Sequence, residues 1–157
     1  MRIKKTDSVK FVTDTVRFAY VNLDKTQPPS IPGGTFKYSI QIVIDKTNAK
    51  EIERINKAVD MVKEKLPKGA KGGLLDGHEE GTLILNISSM EMPNLVDANL
   101  NPILDHNEIY EGCTGRVSVT VFPYSVSGSV GVGFGLNSIM KQADGERPVN
   151  KATLDFL

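Results

Sequence analysis

The stretch FKYSIQIVIDKTNAKEIERINKAVDMVKEKLPKG, residues 36–69, decides the fold because its apolar periodicity changes once along its length. From Phe36 to Ile44, apolar side chains alternate with polar ones, and Val43 is the single exception. A period of two predicts a β-strand with one face in the core and the other turned toward solvent or a ligand.

The second part of the stretch has the period of a helix. From Ile52 to Leu66, apolar residues recur at steps of three and four, which predicts one buried stripe on an amphipathic helix. Asn48 with Glu51 three positions later has the pattern of a capping box, and Pro67 follows the last apolar residue. We therefore predict a helix over about residues 48–66.

Extended segments are predicted on both sides of this helix. The first runs from about Val9 to Leu23 with a bend near Asp14, and later ones cover residues 82–87, 94–96, 116–122 and 129–136. Strands grouped around one helix favour a small barrel over alternating β–α layers. We therefore predict a mainly β protein with long loops, a five-stranded, partly open Greek-key barrel of the OB type.

Composition limits where the protein works. Cys113 is the only cysteine, so no intramolecular disulfide can form, which fits a reducing compartment. The basic N-terminus lacks the apolar segment of a signal peptide, and no apolar run approaches the about 20 residues of a membrane span. We therefore expect a cytoplasmic protein without a membrane partner.

The charges balance overall but not along the chain. Residues 1–71 hold 15 Lys and Arg against 8 Asp and Glu, whereas residues 72–157 hold 4 against 11. Such asymmetry suggests a polyanionic partner. The alternative is that folding intersperses the two halves and cancels the field.

Cationic and aromatic side chains on predicted exposed faces are candidates for nucleic-acid binding, because cations track phosphates and aromatic rings stack bases. These candidates are Lys4, Lys5, Arg17, Tyr20, Lys37, Arg116, Phe122, Tyr124 and Lys141. Phe122 and Tyr124 could instead lie under a loop and close the barrel, and Tyr20 could belong to the core.

Three alternate glycines, at positions 131, 133 and 135, leave one face of a predicted strand without side chains. A ligand could approach closely there. The alternative is that this strand bends sharply or packs against another segment.

Motifs of known catalytic sites are absent from the sequence. It has no CxxC, HExxH, P-loop or GxSxG pattern, so we expect neither an enzyme nor a bound metal or cofactor. Two alternatives stay open: a structural or assembly module of a virion, and a metal-dependent nuclease that uses Asp76, His78, Glu79 and Asp105.

Several short segments together resemble a family of phage-encoded OB-fold single-stranded DNA-binding proteins. The likeness is carried, in chain order, by RFAYV (17–21), KYS (37–39), IDK (44–46), LDG (75–77), PNLVD (93–97), PILD (102–105), EIYEGCTGR (108–116), GFGLNSI (133–139), Lys141 and DGE (144–146). The resemblance implies sequence-tolerant binding of single-stranded DNA in phage replication, recombination or repair, with no catalytic residue.

The residues from about Ala143 onward look weakly structured, so we expect a nucleic-acid-binding domain over residues 1–142 and a C-terminal tail over residues 143–157. Many single-strand binders end in an acidic tail that recruits replication proteins, but Asp155 is the only acid among the last ten residues here. Phage replication proteins and a second copy of the chain, in a homodimer, remain open as further partners.

Overall fold

The computed structural model describes residues 7–24, 37–126 and 128–145. Lys4 and Lys5, the proline-rich segment of residues 25–36, and the part of the predicted tail beyond residue 145 lie outside the described residues. Within the described ranges, no helix combines the length and the apolarity needed to cross a membrane.

The described residues form eight strands, one α-helix and a short 3₁₀ helix. In chain order these are β1 (Val9–Val12), β2 (Val16–Asn22), β3 (Tyr38–Asp45), α1 (Ala49–Lys63), β4 (Leu75–Asp76), β5 (Thr82–Ser89), β6 (Asn94–Val96), the 3₁₀ helix (His106–Glu108), β7 (Thr114–Val126) and β8 (Ser129–Ala143).

Five of the strands close into a ring in the order β2, β3, β5, β8, β7 and back to β2. All neighbours are antiparallel except β5 and β8, which are parallel and share the single register pair Ser88–Gly135. This ring confirms the predicted five-stranded, partly open OB barrel. Three additional short strands extend the sheet, because β1 pairs with β7, β4 with β5 and β6 with β8.

The barrel interior is filled by the apolar residues of the alternating strands. Each of the following side chains is at most 1% exposed: Phe18, Ile40, Ile42, Ile44, Leu85, Ile87, Val117, Val119, Val121 and Ile139. Helix α1 adds Ile55, Ala58, Val59 and Val62 and packs against β1, β7 and β8. The predicted helical stripe is therefore the face that completes the core.

Helix α1 begins where the sequence predicts and ends earlier. The side chain of Asn48 accepts a hydrogen bond from the backbone N–H of Glu51 at 3.3 Å, so one half of the predicted capping box forms. The other half does not, because the Glu51 carboxylate is buried and accepts from the Asp14 backbone N–H at 3.2 Å. The helix ends at Lys63 instead of residue 66.

The bend between β1 and β2 is held by long side chains from two other elements. Arg54 on α1 donates to the Val12 carbonyl at 2.8 Å, and Arg116 on β7 donates through Nε to the Thr13 carbonyl at 3.0 Å. The buried Thr13 hydroxyl accepts from the Val117 N–H at 3.0 Å. The bend predicted near Asp14 is confirmed, and it joins the helix to the barrel.

Strand β8 is longer than predicted. It continues from Leu136 to Ala143 and pairs with β7 along the whole hairpin. The predicted domain end at residue 142 therefore falls within one residue of the end of this strand, while the tail itself stays a prediction.

Candidate nucleic-acid interface

The outer face of β3 and β5 carries polar side chains where the inner face is apolar. Ser39 pairs with Ser88 across the strands, and Gln41 pairs with Asn86. The Gln41 amide donates to the Asn86 side-chain oxygen at 2.9 Å. We refer to these four residues as the polar floor; Asn86 is exposed, Ser39 and Ser88 are half-buried, and Gln41 keeps only 7% of its surface exposed.

Two aromatic side chains lie on the outer face of the β7–β8 hairpin. Phe122 is directly opposite Gly133, and Tyr124 is directly opposite Gly131. A Cβ placed on Gly133 would lie 2.5 Å from Cζ of Phe122, and one on Gly131 would lie 2.8 Å from the Tyr124 hydroxyl oxygen. The rings therefore extend across the glycines, in the manner by which aromatic side chains cover glycine in a neighbouring strand.

This arrangement decides between the two interpretations of the glycine stripe. Gly133 is covered by the Phe122 ring, and Gly131 is covered by the Tyr124 ring and by the Lys71 carbonyl of another segment, so neither position is open to a ligand backbone. Phe122 nevertheless keeps 37% of its surface exposed. At Gly133, solvent therefore contacts the aromatic ring of Phe122 instead of bare backbone.

The polar floor and the aromatic hairpin are neighbours. Ser88 of the floor pairs with Gly135 of β8 in parallel, and a Cβ placed on Gly135 would lie 3.7 Å from Cε1 of the Phe122 ring. The outward face of the barrel is thus continuous from the polar floor to Phe122. We refer to this surface as the groove.

Tyr20 marks the opposite side of the polar floor, beyond the Ala19–Gln41 pair. The ladder between β2 and β3 shifts register after Ala19, and Tyr20 has a φ of 44° with 59% of its surface exposed. A left-handed backbone costs a non-glycine residue about 1–2 kcal/mol. The bulge directs the Tyr20 ring away from the core, so the interpretation of Tyr20 as a core residue is wrong.

A loop between β4 and β5 contacts this part of β2. The ring of His78 meets the Tyr20 ring edge to face, with centroids 5.9 Å apart and planes at 71°. Nη2 of Arg17 lies 2.7 Å from Oε1 of Glu79. Arg17 and Tyr20 therefore both have neighbours from this loop.

The remaining predicted cations are in three different environments. Lys37 is exposed and comes directly before β3, at the end of the polar floor. Arg116 holds the β1–β2 bend through its Nε. Lys141 has only 18% of its side chain exposed and forms a salt bridge with Asp144.

Lys141 belongs to a cluster that ties the end of β8 to the segment after the 3₁₀ helix. Its ammonium nitrogen lies 5.2 Å from the centroid of the Tyr110 ring, and the Tyr110 hydroxyl lies 3.1 Å from a carboxylate oxygen of Asp144. Burial alone would lower the pKa of Lys141, but the hydrogen bond to Asp144 and the nearby negative charges raise it. Burial and the same hydrogen bond raise the pKa of Tyr110.

Several residues of this surface are not binding candidates on the sequence alone, among them Gln41, Asn86 and His78. Gln41 and Asn86 occupy polar positions of recognisable strands, and their alternation with Ile40 and Leu85 is the signal that could have identified them. His78 was considered only as a metal ligand. Its contact with Tyr20 joins residues distant in sequence, so no local pattern reveals it.

The residues of the metal-dependent alternative can also be located. Asp76 closes β4, and His78 and Glu79 follow it in the same loop. Among the residues that the structure describes, no three His, Cys, Asp or Glu side chains are arranged so that they could hold a metal ion.

Known proteins resemble this chain in sequence and in fold. The single-stranded DNA-binding protein of bacteriophage Enc34 in complex with single-stranded DNA superposes with a TM-score of 0.73, at 22% identity over 91% of this chain and 90% of that one. A C-terminal truncation of the same phage protein gives 0.74, at 22% identity over 92% and 90%.

A more distant structure has the same fold. Gp2.5, a single-stranded DNA-binding protein encoded by bacteriophage T7, has a TM-score of 0.65 at 15% identity over 95% of this chain and 94% of that one. No curated protein sequence matches the chain. At these identities the structural likenesses establish the fold.

The family follows from the sequence comparison. The sequence model of the family described as "Enterobacter phage Enc34, ssDNA-binding protein" matches residues 9–153, which is most of the chain. The chain therefore belongs to the Enc34 single-stranded DNA-binding protein family.

Proposed function

We propose that the protein binds single-stranded DNA in the groove, without sequence preference and without catalysing a reaction on it, during phage replication, recombination or repair. The observation that carries the proposal is the position of Phe122, whose partly exposed ring lies across Gly133 at the edge of the polar floor. Membership of the family and the DNA complex of the Enc34 protein support it.

The side chains of the groove offer two kinds of contact to DNA, base stacking and hydrogen bonding. Phe122, Tyr124 and Tyr20 offer aromatic surfaces on which bases stack, and stacking tolerates any sequence because every base has a π-face. The exposed Asn86 offers an amide group for hydrogen bonds to a base or a sugar, and the buried Gln41 holds Asn86 through its own amide. The hydrogen bond between these two amides keeps the floor in place before DNA arrives.

Cations at the margins of the groove follow the phosphates in this proposal. Lys37 lies at the end of the polar floor, and Lys4 and Lys5 are candidates on the sequence pattern alone. The guanidinium of Arg17 already forms a salt bridge with Glu79. Arg116 and Lys141 remain predicted contacts, and their hydrogen bond and salt bridge within the protein support them less well.

The domain organisation and the location complete the proposal. We infer that residues 1–142 form the DNA-binding domain and residues 143–157 a separate tail, and that the protein works in the host cell cytoplasm. The continuation of β8 to Ala143 supports this boundary. A replication protein of the phage or a second copy of the chain is proposed as a further partner.

Fluorescence anisotropy with a labelled thirty-nucleotide oligomer tests the function. We expect saturable binding to single-stranded DNA at low salt, and weaker binding to duplex and RNA of the same sequence. Replacing Phe122 with Ala is expected to cost about 1–3 kcal/mol of binding free energy, the value of one stacked base. No binding at low salt would favour the virion-module alternative instead.

A matched control separates stacking from a general loss of apolar surface. Leu104 is 96% exposed and lies on the loop before the 3₁₀ helix. Leu104→Ala is expected to change the affinity by less than about twofold, because an exposed side chain outside the groove has no base to contact. Equal losses in both variants would contradict the proposed location of the groove.

A further inference from the structure

A short segment after helix α1 lies against the β7–β8 hairpin. The Lys71 N–H donates to the Val130 carbonyl at 3.1 Å, and the Lys71 carbonyl accepts from the Val132 N–H at 2.8 Å. These bonds pair Lys71 with Gly131 in a parallel bridge. The next residue, Gly72, has a φ of 116°, and a Cβ there would lie 2.5 Å from Cγ2 of Val132. The segment is therefore fixed on β8 through its backbone.

Lys71, Gly131 and Tyr124 form one row across the hairpin and this segment. Gly131 pairs with Lys71 on one side and with Tyr124 on the other. A Cβ placed on Gly131 would lie 2.5 Å from the Lys71 carbonyl oxygen and 2.8 Å from the Tyr124 hydroxyl oxygen. Because register partners direct their side chains to the same face of a sheet, the Lys71 side chain lies on the same outer face as the Tyr124 ring.

The positive charge of Lys71 is not neutralised by its neighbours. Lys71 is exposed, and among the residues that the structure describes no carboxylate forms a salt bridge with it. Residues 65–75 hold three lysines and no acid, and residues 117–140 hold no Asp, Glu, Lys or Arg. Arg17 and Lys141, by contrast, each form a salt bridge. Lys71 can therefore contact an anion without breaking a contact within the protein.

The surface next to Lys71 is concave and carries a second cation. An open cavity of about 460 Å³ lies between residues 67–71 and 128–130, and the exposed Lys68 lines it together with Lys71. Helix α1 ends at Lys63, and a helix dipole acts only on charges in its last turn, so the dipole does not account for these lysines. The cavity thus extends the outer face of the hairpin with a positively charged surface.

We propose that Lys71 binds a DNA phosphate, so that the path of the strand continues from the groove along the β7–β8 hairpin toward its tip. This inference rests on the proposed function, since it adds a phosphate contact to the same interface. A strand that stacks a base on Tyr124 places an adjoining phosphate beside the Lys71 ammonium group. An aromatic ring and a cation on one surface are the two elements that single-strand binding requires.

The salt dependence of binding by Lys71→Gln tests the contact. Gln removes the charge, and because Lys71 is held through its backbone, thermal unfolding is expected to be unchanged. Loss of one phosphate contact makes the slope of log K against log salt shallower by about 0.7 for a single strand. The same relation gives about eightfold weaker binding at about 50 mM salt and almost no loss on extrapolation to about 1 M.

Two control variants make the result specific. Lys71→Arg keeps the positive charge and is expected to keep the slope of the unmodified protein. Lys57→Gln removes a positive charge from the exposed face of α1, which contributes no residue to the groove or the hairpin, and is also expected to keep it.

Other outcomes would overturn the inference. An unchanged slope in Lys71→Gln, or an equal change in Lys57→Gln, would remove Lys71 as a phosphate contact and leave the groove itself in place. A slope as shallow in Lys71→Arg as in Lys71→Gln would show that the charge is not what binds. Failure of the unmodified protein to bind single-stranded DNA would instead reject the proposed function.

Discussion

At the scale of single residues, the pair Phe122 and Gly133 shows how a missing side chain shapes the groove. Three atoms of the Phe122 ring, Cζ, Cε2 and Cε1, lie within 3.2 Å of the position that a Cβ on Gly133 would take. Gly135, two residues along the same strand, has its nearest neighbour at 3.5 Å, which is an ordinary contact distance. The two glycines therefore have different roles.

This difference gives a matched pair of substitutions. Gly133→Ala is expected to push the Phe122 ring off the strand, and because the ring is partly exposed it can swing at a cost of about 1 kcal/mol or less in folding stability. Binding of single-stranded DNA should weaken by up to the value of one stacked base, about 1–3 kcal/mol. Anisotropy and urea unfolding measure the two effects.

Gly135→Ala is the control for that experiment. Its added methyl group meets only ordinary van der Waals distances, so neither affinity nor stability should change by more than about 0.5 kcal/mol. If Gly133→Ala bound DNA as tightly as Gly135→Ala, the ring would not be part of the interface.

Single residues also show where sequence reasoning ends. Along β7, the residues from Arg116 to Tyr124 alternate between buried and outward-facing positions. The sequence predicts this alternation correctly. Tyr20 was ambiguous because its exposure comes from a positive φ at a bulge, and no period in the sequence encodes a bulge. Glu51 was assigned to a capping box because its tertiary partner, Asp14, is 37 residues away.

At the scale of elements, periodicity predicted the existence of most strands and of the helix but not their ends. Strand β4 was missed because its two residues form a strand only through pairing with β5. Strand β8 was predicted seven residues too short because polar residues after Leu136 face outward on a hairpin. Boundaries set by pairing cannot be found from local preference alone.

The cluster of Tyr110, Lys141 and Asp144 stabilises the junction between β8 and the segment before β7, and its contribution depends on pH. The pKa of Tyr110 lies above its ordinary 10.0 and the pKa of Lys141 above its ordinary 10.5. A raised pKa means that folding favours the protonated group. The stabilisation is complete below about pH 10 and is lost as the pH rises through the folded-state values.

This pH dependence is measurable by thermal unfolding. Asp144→Asn removes the carboxylate that raises both pKa values, so it is expected to lower the Tm at pH 8. The difference from the unmodified protein should shrink above pH 10. Glu111→Gln, an exposed change on the neighbouring loop, should leave a constant Tm difference, and a constant difference in Asp144→Asn would contradict the assignment.

At the scale of the whole molecule, folding mixes the basic and acidic halves of the chain. The strand order β1, β7, β2, β3, β5, β8, β6 places strands from the second half between those from the first. The strands of the two halves are therefore interleaved in the barrel. We expect DNA binding to depend on a few local cations instead of on the field of the entire protein.

The salt dependence of binding tests this conclusion. Three or four phosphate contacts, from Lys37, Arg17 and the N-terminal lysines, predict a slope of about −2 to −3 for log K against log salt. Oligonucleotide titrations at several salt concentrations between about 50 and 300 mM measure this slope. A slope steeper than about −5 would mean that many more basic residues of the first half contact DNA.

The parallel pair between Ser88 and Gly135 is the only register pair that closes the ring between β5 and β8. Amide exchange and local opening begin where the fewest interstrand bonds must break, so the barrel is weakest along this line. The line runs beside Gly133 and Phe122, between the polar floor and the aromatic hairpin. The part of the molecule that we propose to bind single-stranded DNA is therefore also the part where the barrel is expected to widen at the smallest free-energy cost, while the antiparallel ladders on its other sides keep their shape.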